Sequence, residues 1–202
     1  MILEFIQKER IPKVEHEILY NKNIIGSALC NKFLSGEMNL NNKRYQLKID
    51  NLSSFPIMSN NEQVGYVAQK FNKTGKFLCF DTGYSFYEFE CMNDVFVVYD
   101  IGLGKNQHYY QFEKCNKTIA IIHKPDGVVN RKDYYICYSE DEKMMLPMSL
   151  WCLFLEASAY YDINVAGEGN VVTNKAYKSQ KIIREKYDAT FISKIKALEG
   201  IE

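Results

Sequence analysis

Between Pro147 and Tyr161 runs a stretch whose one charge is Glu156. Set on a helix, Leu150, Trp151, Leu153, Phe154, Leu155, Ala157, Ala159, Tyr160 and Tyr161 cover nearly the whole circumference. Ser149, Cys152 and Glu156 form a narrow, milder stripe at spacings of three and four. Pro147 suits the first turn, where its missing N–H is not needed. A helix that is apolar all round must be enclosed, by lipid or by protein. About 14 residues at roughly 1.5 Å each span about 21 Å, short of the roughly 30 Å hydrocarbon core of a bilayer, and Glu156 lies well inside the stretch. A buried helix over 147–161, wrapped by sheet, is therefore expected.

The wrapping is written upstream of it. Lys43-Arg-Tyr-Gln-Leu-Lys-Ile49 alternates cleanly, with Tyr45, Leu47 and Ile49 on one face and Arg44, Gln46 and Lys48 on the other. Similar runs occupy 18–20, 24–29, 32–40, 63–71, 77–81, 84–91, 95–100, 109–113, 118–123 and 134–138. Between them stand turn signals: 21–23, Asn41-Asn42, Asn60-Asn61, 72–75, 81–83, 92–94, 102–104 and 125–127. These are rich in Asn, Asp and Gly, which accept the positive φ of tight hairpins. A flat sheet covers one side of a helix, so covering every side requires the sheet to curl, and closure also removes its exposed edges. The expected fold is mainly β, a closed antiparallel barrel with 148–161 along its axis.

This order of elements resembles the tubby C-terminal-like superfamily, which includes the LURP-one-related proteins and the phospholipid scramblases. The match lies in the run of short strands up to Tyr138 and in the helix Leu146-Pro-Met-Ser-Leu-Trp-Cys-Leu-Phe-Leu155, and it covers residues 1–162. The resemblance implies a barrel of about twelve strands around a central hydrophobic helix near the C-terminus. It transfers no functional residue. In most members the helix lies near the chain end, whereas here 163–202 follow it.

That tail reads as a turn-rich connector and then an amphipathic helix, capped by Thr173 or Asn174 and stopped by Gly200. Ile183, Tyr187, Phe191, Ile195 and Leu198 make one apolar stripe, with lysines around it. The stripe is an interface candidate, for docking on the protein's own barrel, for a helix-to-helix dimer, or for a basic membrane-surface helix.

Composition excludes some classes. Lysine plus arginine, 25, equals aspartate plus glutamate, 25, so no global field favours nucleic acid or acidic membranes. The first ten residues lack the basic and then apolar pattern of an export signal. The six scattered cysteines then read as reduced core thiols in a cytoplasmic protein.

Chemistry is sparsely signalled. The histidines stand on separate strands at 16, 108 and 123 without metal-ligand spacing. Cys115 could meet His108 or His123 across a hairpin as metal ligands, and Cys91 or Cys115 beside His108 is the conceivable nucleophile. Gly102-Leu-Gly104-Lys105 lacks the spacing and the following helix of a phosphate loop. Glu88, Glu90, Asp94 and Asp100 read as a solvated face. No catalytic residue, metal or cofactor is expected.

Two binding candidates remain. Lys43, Arg44 and Lys48 could form an anion patch. Glu156 either reaches solvent at a barrel mouth or is a polar handle inside a small ligand cavity in the core; if buried it must be protonated or paired, for instance with a Lys, Arg or Tyr of the wall. The function expected is that of a non-catalytic binding or scaffold protein, acting through the barrel surface or the C-terminal helix. A lipid or membrane-surface protein, as the resemblance implies, is the alternative, and an enzyme with an unadvertised site is the third.

Overall fold

The computed structural model describes residues 1–9, 14–31, 35–48, 54–125, 134–166 and 178–201. Its hairpins begin with backbone that few residues accept. Asn21-Lys22, Asn41-Asn42, Asn60-Asn61, Met92-Asn93 and Cys115-Asn116 hold φ between 48° and 70°, the left-handed pair that matches a two-residue turn to the twist of its strands. All five turns lie at one end of the barrel.

Between and beyond them run β1 (Ile2–Glu9), β2 (Val14–Tyr20), β3 (Asn23–Asn31), β4 (Ser35–Leu40), β5 (Lys43–Lys48) and β6 (Ser54–Ser59). They are followed by β7 (Glu62–Phe77), β8 (Phe80–Cys91), β9 (Asp94–Gly104), β10 (Gln107–Lys114), β11 (Lys117–Lys124) and β12 (Tyr134–Ser139). Each strand pairs antiparallel with the next, and β12 returns to β1, with Leu3 opposite Cys137 and Phe5 opposite Tyr135. The expected closed barrel is therefore present, with twelve strands.

After β12, Asp141 caps a single 3₁₀ turn, Glu142–Met144, by accepting from Lys143 N. The long helix α1 (Met145–Ala166) follows, with Pro147 in its first turn. Met148, Ser149, Leu150, Trp151, Cys152, Leu153, Phe154, Glu156 and Ala157 are all buried and Leu155 is half-buried, so over residues 148–157 the helix is enclosed all round. Trp151 sits in a cage of rings from both wall and helix, with Tyr87, Phe89, Phe112 and Phe154 centred 5.1–5.7 Å from it. On the other side the wall approaches closely through Gly36 of β4. A Cβ there would stand 2.6 Å from Leu153 Cδ1 and 2.9 Å from its Cγ.

Three expected turns are not turns. Residues 72–75 and 81–83 lie inside β7 and β8, whose pairing runs unbroken from Gly65↔Cys91 to Phe77↔Phe80 apart from one bulge between Lys73 and Gly75. Gly102-Leu103 likewise belongs to β9, and the loop lies one step on, at Lys105-Asn106.

The tail is broken where one helix was expected. It forms α2 (Lys181–Arg184) and α3 (Phe191–Leu198). The cause is the buried Gln111 of β10, whose Nε2 donates to Lys186 O at 2.7 Å and whose Oε1 accepts from Asp188 N at 2.8 Å. Those backbone groups are thereby withdrawn from helical bonding. Asp188 then turns the chain by accepting from Thr190 N and Thr190 Oγ1. The proposed caps Thr173 and Asn174, and most of the connector, lie outside the described residues.

The contact through Gly36 yields a direct check. Gly36→Val is expected to cost about 1–3 kcal/mol by overpacking the helix against the wall. Gly75→Val, where the nearest atom to an added Cβ is Thr82 Oγ1 at 3.2 Å, should shift thermal melting far less. Equal melting points for the two variants would contradict the seating of Leu153 against β4.

Candidate functional site

Alternation along the strands brings polar side chains to the barrel's inner wall near the end opposite the five tight turns. His16 stands between Val14 and Ile18 on the inward face of β2. Lys124 follows Ala120 and Ile122 on β11, and Tyr135 precedes Cys137 on β12. Glu156 reaches this level from the C-terminal half of α1.

The four side chains form one chain of contacts. Lys124 Nζ donates to Tyr135 Oη at 3.0 Å and lies over its ring at 4.9 Å from the centroid. The Tyr135 hydroxyl donates a short hydrogen bond to Glu156 Oε1. Glu156 Oε2 lies 3.1 Å from His16 Nε2, an ion-pair contact when the ring carries its proton, although poorly aligned as a hydrogen bond. Phe5 packs on the imidazole at 4.7 Å between centroids. Burial alone pushes the Glu156 carboxyl up. The contact and charge of His16, then the charge of Lys124 and the Tyr135 hydroxyl, outweigh it and hold the carboxyl below the ordinary glutamate value.

Glu156 therefore does not reach solvent, as the mouth reading expected. It is buried and, as burial was expected to require, paired with a wall tyrosine. Neither His16 nor Lys124 was singled out by number as a member of this group of four. The available signal was parity, since each shares its strand's inward face with apolar neighbours at i±2. The cluster as it stands can orient a helix and hold a proton. No cysteine or serine nucleophile is hydrogen-bonded to its imidazole among the described residues.

The other candidates separate in space. Arg44 is spent on Glu37 at 2.6 Å. Lys43 pairs with Leu40 beside the tight turn, while Lys48 pairs with Ser35 at the far end of β5, so the three do not make one anion patch. Cys115 occupies a tight turn, with His108 and His123 at the opposite ends of β10 and β11. The strands between them put roughly 20 Å in the way of a shared metal or a Cys–His dyad. Cys91 is buried beside the Met92-Asn93 turn, at that same remote end. His108 instead faces Asp100 at 2.6 Å.

The apolar stripe of the tail is covered by its own barrel. Ile183 packs on Tyr99 and Ile101 of β9. Phe191 and Ile195 pack on Ile121 and Tyr138, and Tyr187 stacks on Tyr109 at 4.6 Å. Leu198, counted in the stripe from its spacing, is 68% exposed.

Among the uncovered surfaces is the distal part of β7 and β8. β6 pairs with β7 only as far as Ala68, and β9 pairs with β8 only as far as Tyr87. Residues 69–86 thus form a two-stranded ribbon whose outer edges pair with no other strand among the described residues. Phe71, Leu78 and Phe80 are 55%, 82% and 70% exposed on it. No described helix is long and apolar enough to cross a membrane. Searches of family models, curated proteins and solved structures find no match to this chain.

The Glu156 pairing sets a pH dependence. A carboxyl depressed in the folded state adds stability that is fully present above its unfolded value, about 4.3, and is lost as pH falls through the folded value. The melting temperature should therefore drop steeply below about pH 4. Glu156→Gln should flatten that limb and cost about 1–3 kcal/mol at neutral pH. Wild-type melting across the whole range in the glutamine variant would remove the network's structural role.

Proposed function

We propose that the protein is a non-catalytic binding protein, in which the plugged barrel is a rigid scaffold and the ribbon of residues 69–86 is the element presented to a partner. The exposure of Phe71, Leu78 and Phe80 on two strands that pair only with each other among the described residues carries the reading. Side chains this large and apolar are normally covered, and clustered ones mark interaction sites. Free strand edges also offer backbone groups to an extended partner. The barrel's inner space is occupied by α1, and the tail's apolar stripe is packed on β9–β12. Among the described surfaces, those two are the least able to accept a partner without rearrangement. The resemblance to tubby-like barrels supports a binding rather than a catalytic role.

A membrane surface is a second reading, favoured by the order of residues at the tip. Leu78 and Phe80 lead, and Lys76, Lys73 and Lys70 follow behind. At roughly 3.3 Å per residue Lys76 stands about 7 Å behind Leu78, which matches the 5–10 Å to which interfacial elements sink among headgroups. Lys73 and Lys70 are partly engaged with Asp81 at 2.7 Å and Glu88 at 3.6 Å, which weakens the field they offer.

Both readings concentrate on the tip. A photo-crosslinking side chain at position 78 is expected to give a discrete protein adduct in cells, while the same group at position 42, in a tight turn at the other end, gives none. Retention on phosphatidylserine vesicles, lost in the Leu78→Asp, Phe80→Asp double variant at unchanged melting temperature, would assign the tip to lipid instead. Silence in both assays would overturn the ribbon as the recognition element.

A further inference from the structure

β8 and β9 pair in constant register from Cys91↔Asp94 to Tyr87↔Val98, and there the ladder stops. Neither strand ends at that point: β8 begins at Phe80 and β9 continues to Gly104. The same register carried onward would set Phe86 opposite Tyr99, Tyr84 opposite Ile101 and Thr82 opposite Leu103. The edge of β9 is instead taken by the tail. Leu103 forms an antiparallel bridge with Lys178. Ser179 N donates to Gly102 O at 2.9 Å, Gly102 N donates to Ser179 Oγ at 2.7 Å, and that hydroxyl donates to Asp100 O at 3.2 Å.

One short segment thus satisfies the groups on β9 that β8 would otherwise meet. The side chains of β8 stay within reach, since Tyr84 and Phe86 lie 6.4 and 6.3 Å from Tyr99, between centroids. Ile183 of α2 packs into the same outer cluster. The tail therefore sits where the splayed ribbon and the barrel part company, and Gln111 fixes it there from the neighbouring strand.

We propose that the tail and β8 compete for one edge of β9, so that the docked tail holds the ribbon away from the barrel and an undocked tail lets β8 zip onto β9. Position of the ribbon and docking of the tail are then a single two-state element. Anything that binds the splayed ribbon strengthens tail docking, and anything that draws off the tail retracts the ribbon, because such coupling is reciprocal. The proposal concerns the ribbon's geometry and holds whatever the ribbon binds.

The chain carries its own probes. Cys79 at the ribbon tip and Cys115 in the opposite-end turn are exposed, whereas Cys30, Cys91, Cys137 and Cys152 are buried. Nitroxide labels on these two native thiols of the full-length protein report ribbon position by electron–electron distance. Tail release, followed as new tryptic cleavage near Lys186 and Lys194, is driven by Ile183→Asp with Phe191→Asp, or by Ser179→Pro should the double variant lose the barrel's circular dichroism. The expected result is a shift of the Cys79–Cys115 distance by at least one strand spacing, ~5 Å, with new hydrogen-exchange protection in residues 82–86. A released tail with an unshifted distribution, or one merely broadened about the wild-type distance, would overturn the competition. So would a tail that stays protected from trypsin in both variants, because Ser179 and Ile183 would then not be what docks it.

Discussion

Residues 148–157 of α1 have to be enclosed on every side, and that requirement sets the size of everything around them. An eight-stranded barrel is filled by side chains alone, whereas twelve strands leave room for a helix 10–12 Å across with its side chains. The wall meets the helix unevenly. Aromatic residues of β8 and β10 reach inward to cage Trp151, while β4 gives way to Leu153 by having no side chain at Gly36. Close packing of this kind leaves little freedom in where the helix sits along the axis.

Within that apolar seat, Glu156 is expensive to bury, and His16, Tyr135 and Lys124 are what make its burial tolerable. They come from β2, β12 and β11, strands that meet around the β1–β12 closure. The carboxylate is therefore a bond between the helix and the seam of the barrel. A buried polar group satisfied in one placement alone selects that placement over a rotated or shifted helix. Chemistry beyond that would require a reacting group beside the imidazole.

The outside of the barrel divides between a covered face and an offered one. β9 to β12 alternate apolar residues outward as well as inward, as Tyr99, Ile101, Ile121 and Tyr138 do, and the tail supplies the cover. Where β8 leaves β9, covered and offered surfaces touch. The arrangement links the ribbon's reach to a segment far away in sequence, through a shared strand edge rather than through the core.

Much of the fold was legible because it rests on local chemistry. Asparagine pairs dictate positive-φ turns, period-two runs dictate strands, and a stretch with no polar side dictates enclosure. The four tail positions Ile183, Tyr187, Phe191 and Ile195 also announced a common face, and all four do meet the barrel. Other features depended on groups distant in sequence. The break between α2 and α3 needed Gln111, and the ionic state of Glu156 needed His16, Tyr135 and Lys124. The lysines of β5 looked like a patch until pairing placed them at opposite ends of a strand and gave Arg44 to Glu37. The ribbon was hidden because Asn72, Gly75 and Gly83 resemble turn residues, and nothing local tells a strand that contains them from a bend. By itself the sequence determined which backbone each segment prefers and which sides must be buried. Tertiary structure decided which polar groups pair, which edges stay open and what covers them, because those outcomes turn on the distance between residues that the chain keeps far apart.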